Sequence, residues 1–249
     1  ISWRGDPFEV GPRRALHHEP DAVVAMAAGR IVHAGPASRV LRELPPRTPV
    51  ERLPRGSLMA PGFVDAHVHY PQWPMVASHA AQLLDWLADH TFPAEAAFTD
   101  GRYASRVARA FLDESLRQGV TTAAVFCTVH PQSVDALMRE ALARGLRLVG
   151  GKVLMDRNAP RRLTDSAKRG YDASKALIER WHGRGRLGYA ITPRFAVTSS
   201  PAQLEAAGAL WREHPDCWVQ SHVSENRGEI DWVKRLFPRA RDYVDVYAR

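Results

Sequence analysis

The segment Pro61-Gly62-Phe63-Val64-Asp65-Ala66-His67-Val68-His69 decides how this 249-residue chain is read. A Pro-Gly turn leads into an apolar run that ends in two histidines two residues apart. Side chains on a strand alternate between faces, so positions i and i+2 share one. His67 and His69 are therefore expected to project together from one strand end. Where strands and helices alternate around a barrel, sites are built at the C-terminal strand ends. Two imidazoles placed there can clasp a transition metal. A bare His-x-His is common as a surface or core pair. The surrounding Pro-Gly-Phe-Val-Asp-x-His-x-His is what gives this one weight.

From this strand onward the pattern alternates. Strands are predicted at 58–68, 120–128, 146–154, 187–192 and 217–223, and helices at 80–89, 102–118, 132–144, 166–182, 201–214 and 227–236. Thr121-Thr122-Ala123-Ala124-Val125-Phe126 is apolar on both faces, as suits a parallel strand covered on both sides. Repeated strand–helix units define an α/β chain, either a (β/α)8 TIM barrel or a doubly wound sheet. The count reaches about five of a barrel's eight units, so a barrel here is partial. Residues 1–56 read differently. Ala22–Met26, a turn at Ala28-Gly29-Arg30, and Ile31–Pro36 form a strand, a turn and a strand, and Pro45, Pro46, Pro49 and Pro54 then punctuate a polar stretch. The domain expectation is a small β module at 1–56 and a partial barrel at 57–249.

The fifth predicted strand brings a third imidazole. Gln220-Ser221-His222-Val223-Ser224-Glu225-Asn226 puts His222 at a strand end and Glu225 in the following loop. Three protein ligands leave a metal one position open for water, whose pKa falls to about 7. A nearby carboxylate can take that proton and return it to a leaving group. The plainer reading is a core histidine and a helix-start glutamate. The fourth strand ends Thr192-Pro193-Arg194-Phe195. Arg194 could offer a forked pair of hydrogen bonds to a planar carbonyl-bearing ligand, and Phe195 could stack on its ring. Gln72 both donates and accepts, as amide-like ring edges require. Singly, each is equally readable as a surface Arg, a core Phe and a loop Gln. His130 is a weaker pocket candidate. Asp65 is expected to fix local geometry, and Trp181, Trp211 and Trp232 are expected to pack.

Composition narrows the class. At 45% hydrophobic and 24% charged the chain is globular, which excludes disorder, collagen and coiled coil. No run approaches the ~18 apolar residues of a membrane span, so no membrane partner is expected. The N-terminus lacks a signal-peptide pattern, and Ile1 stands where a Met would start a chain, so the natural start is expected upstream. Cys127 and Cys217 make no disulfide framework, and a reducing cytoplasmic setting is the default. The net charge of +7 raises nucleic-acid binding. Only four of the 34 basic residues are Lys, however, and the arginines are scattered without interleaved aromatics. No nucleic-acid partner is expected.

Taken together, these segments resemble the guanine deaminases of the amidohydrolase superfamily, of bacterial type. The resemblance runs from about Val10 to Arg249. It rests on the Pro61–Gln72 segment, on Leu83-Leu84-Asp85-Trp86-Leu87 continuing to Thr91-Phe92-Pro93-Ala94-Glu95, on Gly151–Asn158, on Thr192-Pro193-Arg194-Phe195 and on Ser221–Asn226. The first is superfamily-wide; the Trp86/Phe92 and Thr-Pro-Arg-Phe segments are more specific. The resemblance implies zinc ligation by His67, His69 and His222, proton shuttling by Glu225, and purine binding by Gln72, Arg194 and Phe195, with His222 also facing the substrate. It implies one zinc per complete subunit, guanine as substrate, and a homodimer at full length. It also implies that residues 1–56 are the first part of a β-sandwich whose remainder follows the barrel. The family places another His and an Asp ligand on later barrel strands, beyond Arg249. This chain is accordingly expected to be a fragment, inactive by itself. Ala196-Val197 departs from the more usual Ala-Pro.

Three rivals remain at this stage. A ring-opening hydrolase of the hydantoinase type uses a modified Lys on the fourth strand, but 187–193 has none and Lys152 lies on the third. Another aminohydrolase could act on a different amino-substituted heterocycle, and a non-catalytic remnant would fit a degenerate chain.

Overall fold

The computed structural model describes residues 1–80 and 82–248 and divides the chain into two units, Ile1–Gly62 and Phe63–Arg249. In the first, β1 (Ser2–Trp3) pairs antiparallel with β2 (Leu16–His17) across two single-turn helices, α1 (Pro7–Val10) and α2 (Pro12–Ala15). Asp6 caps α1 by accepting the Phe8 N–H at 2.8 Å. β3 (Ala22–Ala27) and β4 (Arg30–Pro36) form a hairpin, followed by α3 (Ala37–Glu43). Its two-residue turn has positive φ at both Ala28 (49°) and Gly29 (73°), the mirror-image turn whose twist matches a hairpin. These two small antiparallel pairs are consistent with part of a β-sandwich.

The second unit is built on parallel strands: β5 (Phe63–His69), β6 (Val120–Phe126), β7 (Arg147–Gly151), its continuation β8 (Val153–Leu154), β9 (Leu187–Pro193) and β10 (Trp218–Val219). The order across the sheet is β5-β6-β7-β9-β10, with β8 beside β9. Every strand lies next to its chain neighbour. A doubly wound sheet would reverse its order at a switch point, so the arrangement is a partial (β/α)8 barrel. The long helices α6 (Gly101–Arg117), α7 (Pro131–Ala143), α8 (Ala167–Trp181) and α9 (Pro201–Glu213) pack each on the next, as one outer layer. Leu112, Leu137, Met138, Leu148, Leu177 and Ile191 fill the space between helices and sheet. β9 is buried along its whole length, which accounts for a sequence apolar but for Thr192, whose hydroxyl donates to the Ala190 carbonyl at 2.7 Å. No helix among the described residues is long and apolar enough to cross a membrane.

Three expected elements differ. The first strand starts at Phe63, not at 58, because its ladder begins where the Phe63 N–H donates to Gly119 (2.8 Å), and Pro61 just before it has no N–H to give. The expected helix at 80–89 is instead α4 (Leu83–Trp86), a π turn at Leu87–Thr91 and α5 (Phe92–Ala96); Ala81 lies outside the described residues. Pro93 removes the N–H that would continue a regular helix there. The fifth strand is regular only over Trp218–Val219, although Gln220 and His222 still donate to the Ile191 and Arg194 carbonyls at 3.0 and 3.1 Å. Trp181 packs as expected, whereas Trp211 is 51% exposed.

One backbone contact sets the strand spacing. A Cβ on Gly151 would lie 1.8 Å from the Ala190 carbonyl oxygen, and backbone cannot swing aside as a side chain can. Gly151→Ala should therefore destabilise the fold by about 3 kcal/mol or more. Thermal unfolding checks this, and a loss under about 1 kcal/mol would show that β7 and β9 can part at small cost.

Candidate metal centre and its cavity

The centre begins in β5. The strand slips register against β6 between Asp65 and Val68, and Asp65 Oδ1 accepts the His67 N–H at 3.2 Å. Such bulges re-aim side chains. His67 and His69 both turn toward His222, which follows β10. His69 Nε2 lies 2.9 Å from His222 Nε2, and His67 Nε2 lies 3.2 Å from it. Ring nitrogens of the three lie within 4.8 Å of one another. Beneath them sits Phe126, paired in register with His69 at the end of β6. Its ring stacks on His69 (4.5 Å, 14°) and meets His222 at 4.4 Å. Nothing in the sequence flagged Phe126. The available signal was a bulky aromatic at a strand's C-terminal end.

The tautomer of His222 is set. Its Nδ1 lies 2.8 Å from the Arg194 carbonyl, which can only accept, so Nδ1 carries the proton and Nε2 presents a lone pair. That lone pair faces two other imidazoles. Burial, assisted by the Arg194 charge, pulls His222 down to about 4 and His69 well below the usual histidine range, so both are neutral near pH 7. The His69 Nδ1 has no hydrogen-bond partner among the described residues, and its Nε2 meets the lone pair of His222 Nε2. The two short separations are near the ~3.3 Å edge of a tetrahedron with arms of ~2.0–2.1 Å. Three imidazoles whose Nε2 atoms converge, two of them held neutral by burial, fit a divalent transition ion.

The trio opens into a cavity of about 700 Å³, whose lining includes Gln72, Trp86, Arg194, Phe195 and Glu225. Gln72 stands on the 3-10 turn Tyr70–Met75 just after β5. Arg194 is buried, and its Nη1 donates to both oxygens of the buried Glu95 at 2.8 and 2.6 Å, with the Phe92 ring 5.5 Å away. Glu95 was missed at the sequence level. Phe195 packs with Leu87 and Val197. The strand-four loop is held by the Asp156-Arg157-Asn158 segment. Asp156 accepts the Ser200 N–H (2.7 Å) and hydroxyl, Arg157 donates to the Ala196 carbonyl (3.0 Å), and Asn158 donates to that of Val197 (2.8 Å). Glu225 follows His222 in the loop before α10 (Arg227–Leu236). Burial pushes its carboxyl above the ordinary glutamate range, with the Glu229 charge adding to the rise and Arg194 opposing it.

His130 does not line this cavity; it begins α7. Lys152 is buried in an ion pair with Asp165 at 2.8 Å. His182, Asp216 and Cys217 form a second grouping of ligand-type atoms. The Tyr189 N–H donates to His182 Nδ1 (2.9 Å), so the proton sits on Nε2 and points to Asp216 (3.0 Å). Neither nitrogen is free for a metal, and the group serves to tie α8 to β9 and β10.

Consecutive parallel strands bring imidazoles at their C-terminal ends together beside a cavity, a geometry suited to a metal centre. The family model for the amidohydrolase family matches residues 58–249, and the chain belongs to that family. It is 49% identical over 233 residues to a guanine deaminase of Escherichia coli (strain K12), a match covering 94% of this chain and 53% of that protein. The solved E. coli guanine deaminase superposes with a TM-score of 0.93 at 48% identity, over 98% of this chain and 56% of that one. A guanine deaminase from C. acetobutylicum, solved with guanine bound in its active site, superposes with a TM-score of 0.73 at 30% identity, over 79% of this chain and 50% of that one. The chain spans about half the length of the curated relatives it matches.

Proposed function

We propose that this chain carries the metal-binding and purine-binding half of a zinc-dependent guanine deaminase, which converts guanine and water to xanthine and ammonia. The observation that carries the reading is the convergence of His67, His69 and His222 in the wall of the cavity that Glu225 also lines. The guanine bound by the C. acetobutylicum relative supports the substrate. His67, His69 and His222 would hold one zinc per subunit. When bound, the ion supplies a Lewis acid that makes water nucleophilic near neutral pH. Glu225 accepts a proton from the attacking water as its oxygen bonds to the amino-bearing ring carbon. The same carboxyl then delivers that proton to the departing amine as the C–N bond breaks. Arg194, held by Glu95, and Gln72 meet the polar ring edge, and Phe195 meets its face. Fixing the ring in this way removes part of the entropic barrier.

The test uses a polypeptide that continues this chain to the length of its relatives. Assayed side by side on guanine, adenine, cytosine and triazines, it should consume guanine with equal yields of xanthine and ammonia, and should hold one zinc per subunit by metal analysis. Preference for another heterocycle would reassign the substrate. Absence of bound metal would overturn the centre itself.

A further inference from the structure

The loop that carries His222 and Glu225 has little regular support. β10 ends at Val219, and Ser224 holds a left-handed φ of 59°, costly for a residue with a Cβ. Its backbone is pinned from behind instead. The buried Glu229 accepts the N–H groups of both Glu225 (2.9 Å) and Asn226 (3.1 Å) on Oε2. Its Oε1 accepts the Tyr243 hydroxyl at 2.5 Å. Tyr247 lies one helical turn on from Tyr243, in α11 (Asp245–Ala248), and donates its hydroxyl to the His222 carbonyl at 2.8 Å. The two rings stack at 5.9 Å. Arg241 anchors the segment through its backbone N–H and guanidinium on Asp245.

We propose that Glu229, Tyr243 and Tyr247 form a brace that positions His222 and Glu225 for metal binding and proton transfer, an inference resting on the function proposed above. None of the three lines the cavity, so none touches substrate. Helix capping alone does not explain the pattern. A capping box needs the Asn226 side chain on the first turn and the Glu229 carboxylate on the Asn226 N–H, and both are present. The additional bond from Glu229 goes to the Glu225 N–H, and the Tyr247 bond goes to His222. Both end on the two residues whose aim matters. Groups behind metal ligands typically govern affinity by 10–100-fold.

The experiment uses the polypeptide continued to its relatives' length, with Tyr247→Phe and Glu229→Gln. Tyr247→Phe deletes one hydroxyl and should weaken zinc, measured by competition with a chromogenic chelator, by about tenfold or more. Glu229→Gln removes the carboxylate charge and, if its one oxygen stays on the two loop N–H groups, turns an amide donor toward the Tyr243 hydroxyl, which loosens the brace. It should lower kcat by about tenfold or more while KM stays near wild type. Thermal melts run alongside. If both variants keep wild-type zinc affinity and kcat and lose only melting temperature, the brace is structural and the proposal falls. Should Glu229→Gln fail to fold, the zinc affinity of Tyr247→Phe decides. A wild type with neither zinc affinity nor turnover overturns the functional reading, a result distinct from wild-type binding with unchanged variants.

Discussion

Glu225→Gln, in a polypeptide continuing this chain to its relatives' length, is expected to lose about 10³-fold in turnover while keeping its zinc. General acid–base catalysis by a placed side chain contributes ~10²–10⁴-fold, and in the proposed mechanism one carboxyl serves both proton transfers. The amide matches the carboxylate in size, so the loop held by Glu229 keeps its shape. His67, His69 and His222 are untouched, and metal analysis should match wild type. The pH profile adds a sign. The base works ionised, so rate falls as pH drops through the Glu225 pKa. Burial raises that pKa, so the acidic limb should lie above the ordinary glutamate range. Steady-state rates across pH, with zinc measured on the same samples, check both. A variant near the wild-type rate would remove Glu225 from the proton path.

The architecture was largely legible because the barrel strands are apolar runs set between amphipathic helices, β9 being buried along its whole length while the edge strands β5 and β10 leave Phe63, Val64, Trp218 and Val219 exposed. His67 and His69 were legible because a two-residue spacing has one meaning on a strand. Sheet order was not legible, since a singly wound and a doubly wound sheet share the same alternation; the succession β5-β6-β7-β9-β10 separates them. The support of the site was the least visible. Glu95 and Arg194 are 99 positions apart, Gln220 reaches the Val125 carbonyl across 95, and no local pattern couples such pairs. Phe126 lies in an apolar run with nothing local to single it out, and Glu229 carries no motif that ties it to the His222 loop. Trp211 was misjudged because a helix residue flanking β10, an edge strand among the described residues, has no neighbouring layer to pack against there.

The largest loss of stability should follow Glu95→Ala. Exposed pairs such as Lys168–Asp172 contribute ~1 kcal/mol at most. Glu95 and Arg194 are 0% and 3% exposed, and Glu95 uses both oxygens on one guanidinium nitrogen. Removing the carboxylate strands a buried cation, which typically costs about 3–5 kcal/mol. For a domain of this size, 1 kcal/mol moves the melting temperature by roughly 2–4 °C, so a fall of about 10 °C is expected. The damage should also reach the cavity. α5 would lose its tie to the strand-four loop, and the π turn and α4 before it supply Leu87 and Trp86 to the lining. The mechanism has a separate check. If the penalty is the stranded charge, replacing both partners by apolar residues of similar size, Glu95→Leu with Arg194→Met, should recover most of the lost stability. A single variant within about 1 kcal/mol of wild type, or a double variant no better than the single, would show that water or another group already satisfies Arg194 and that Glu95 does not hold it.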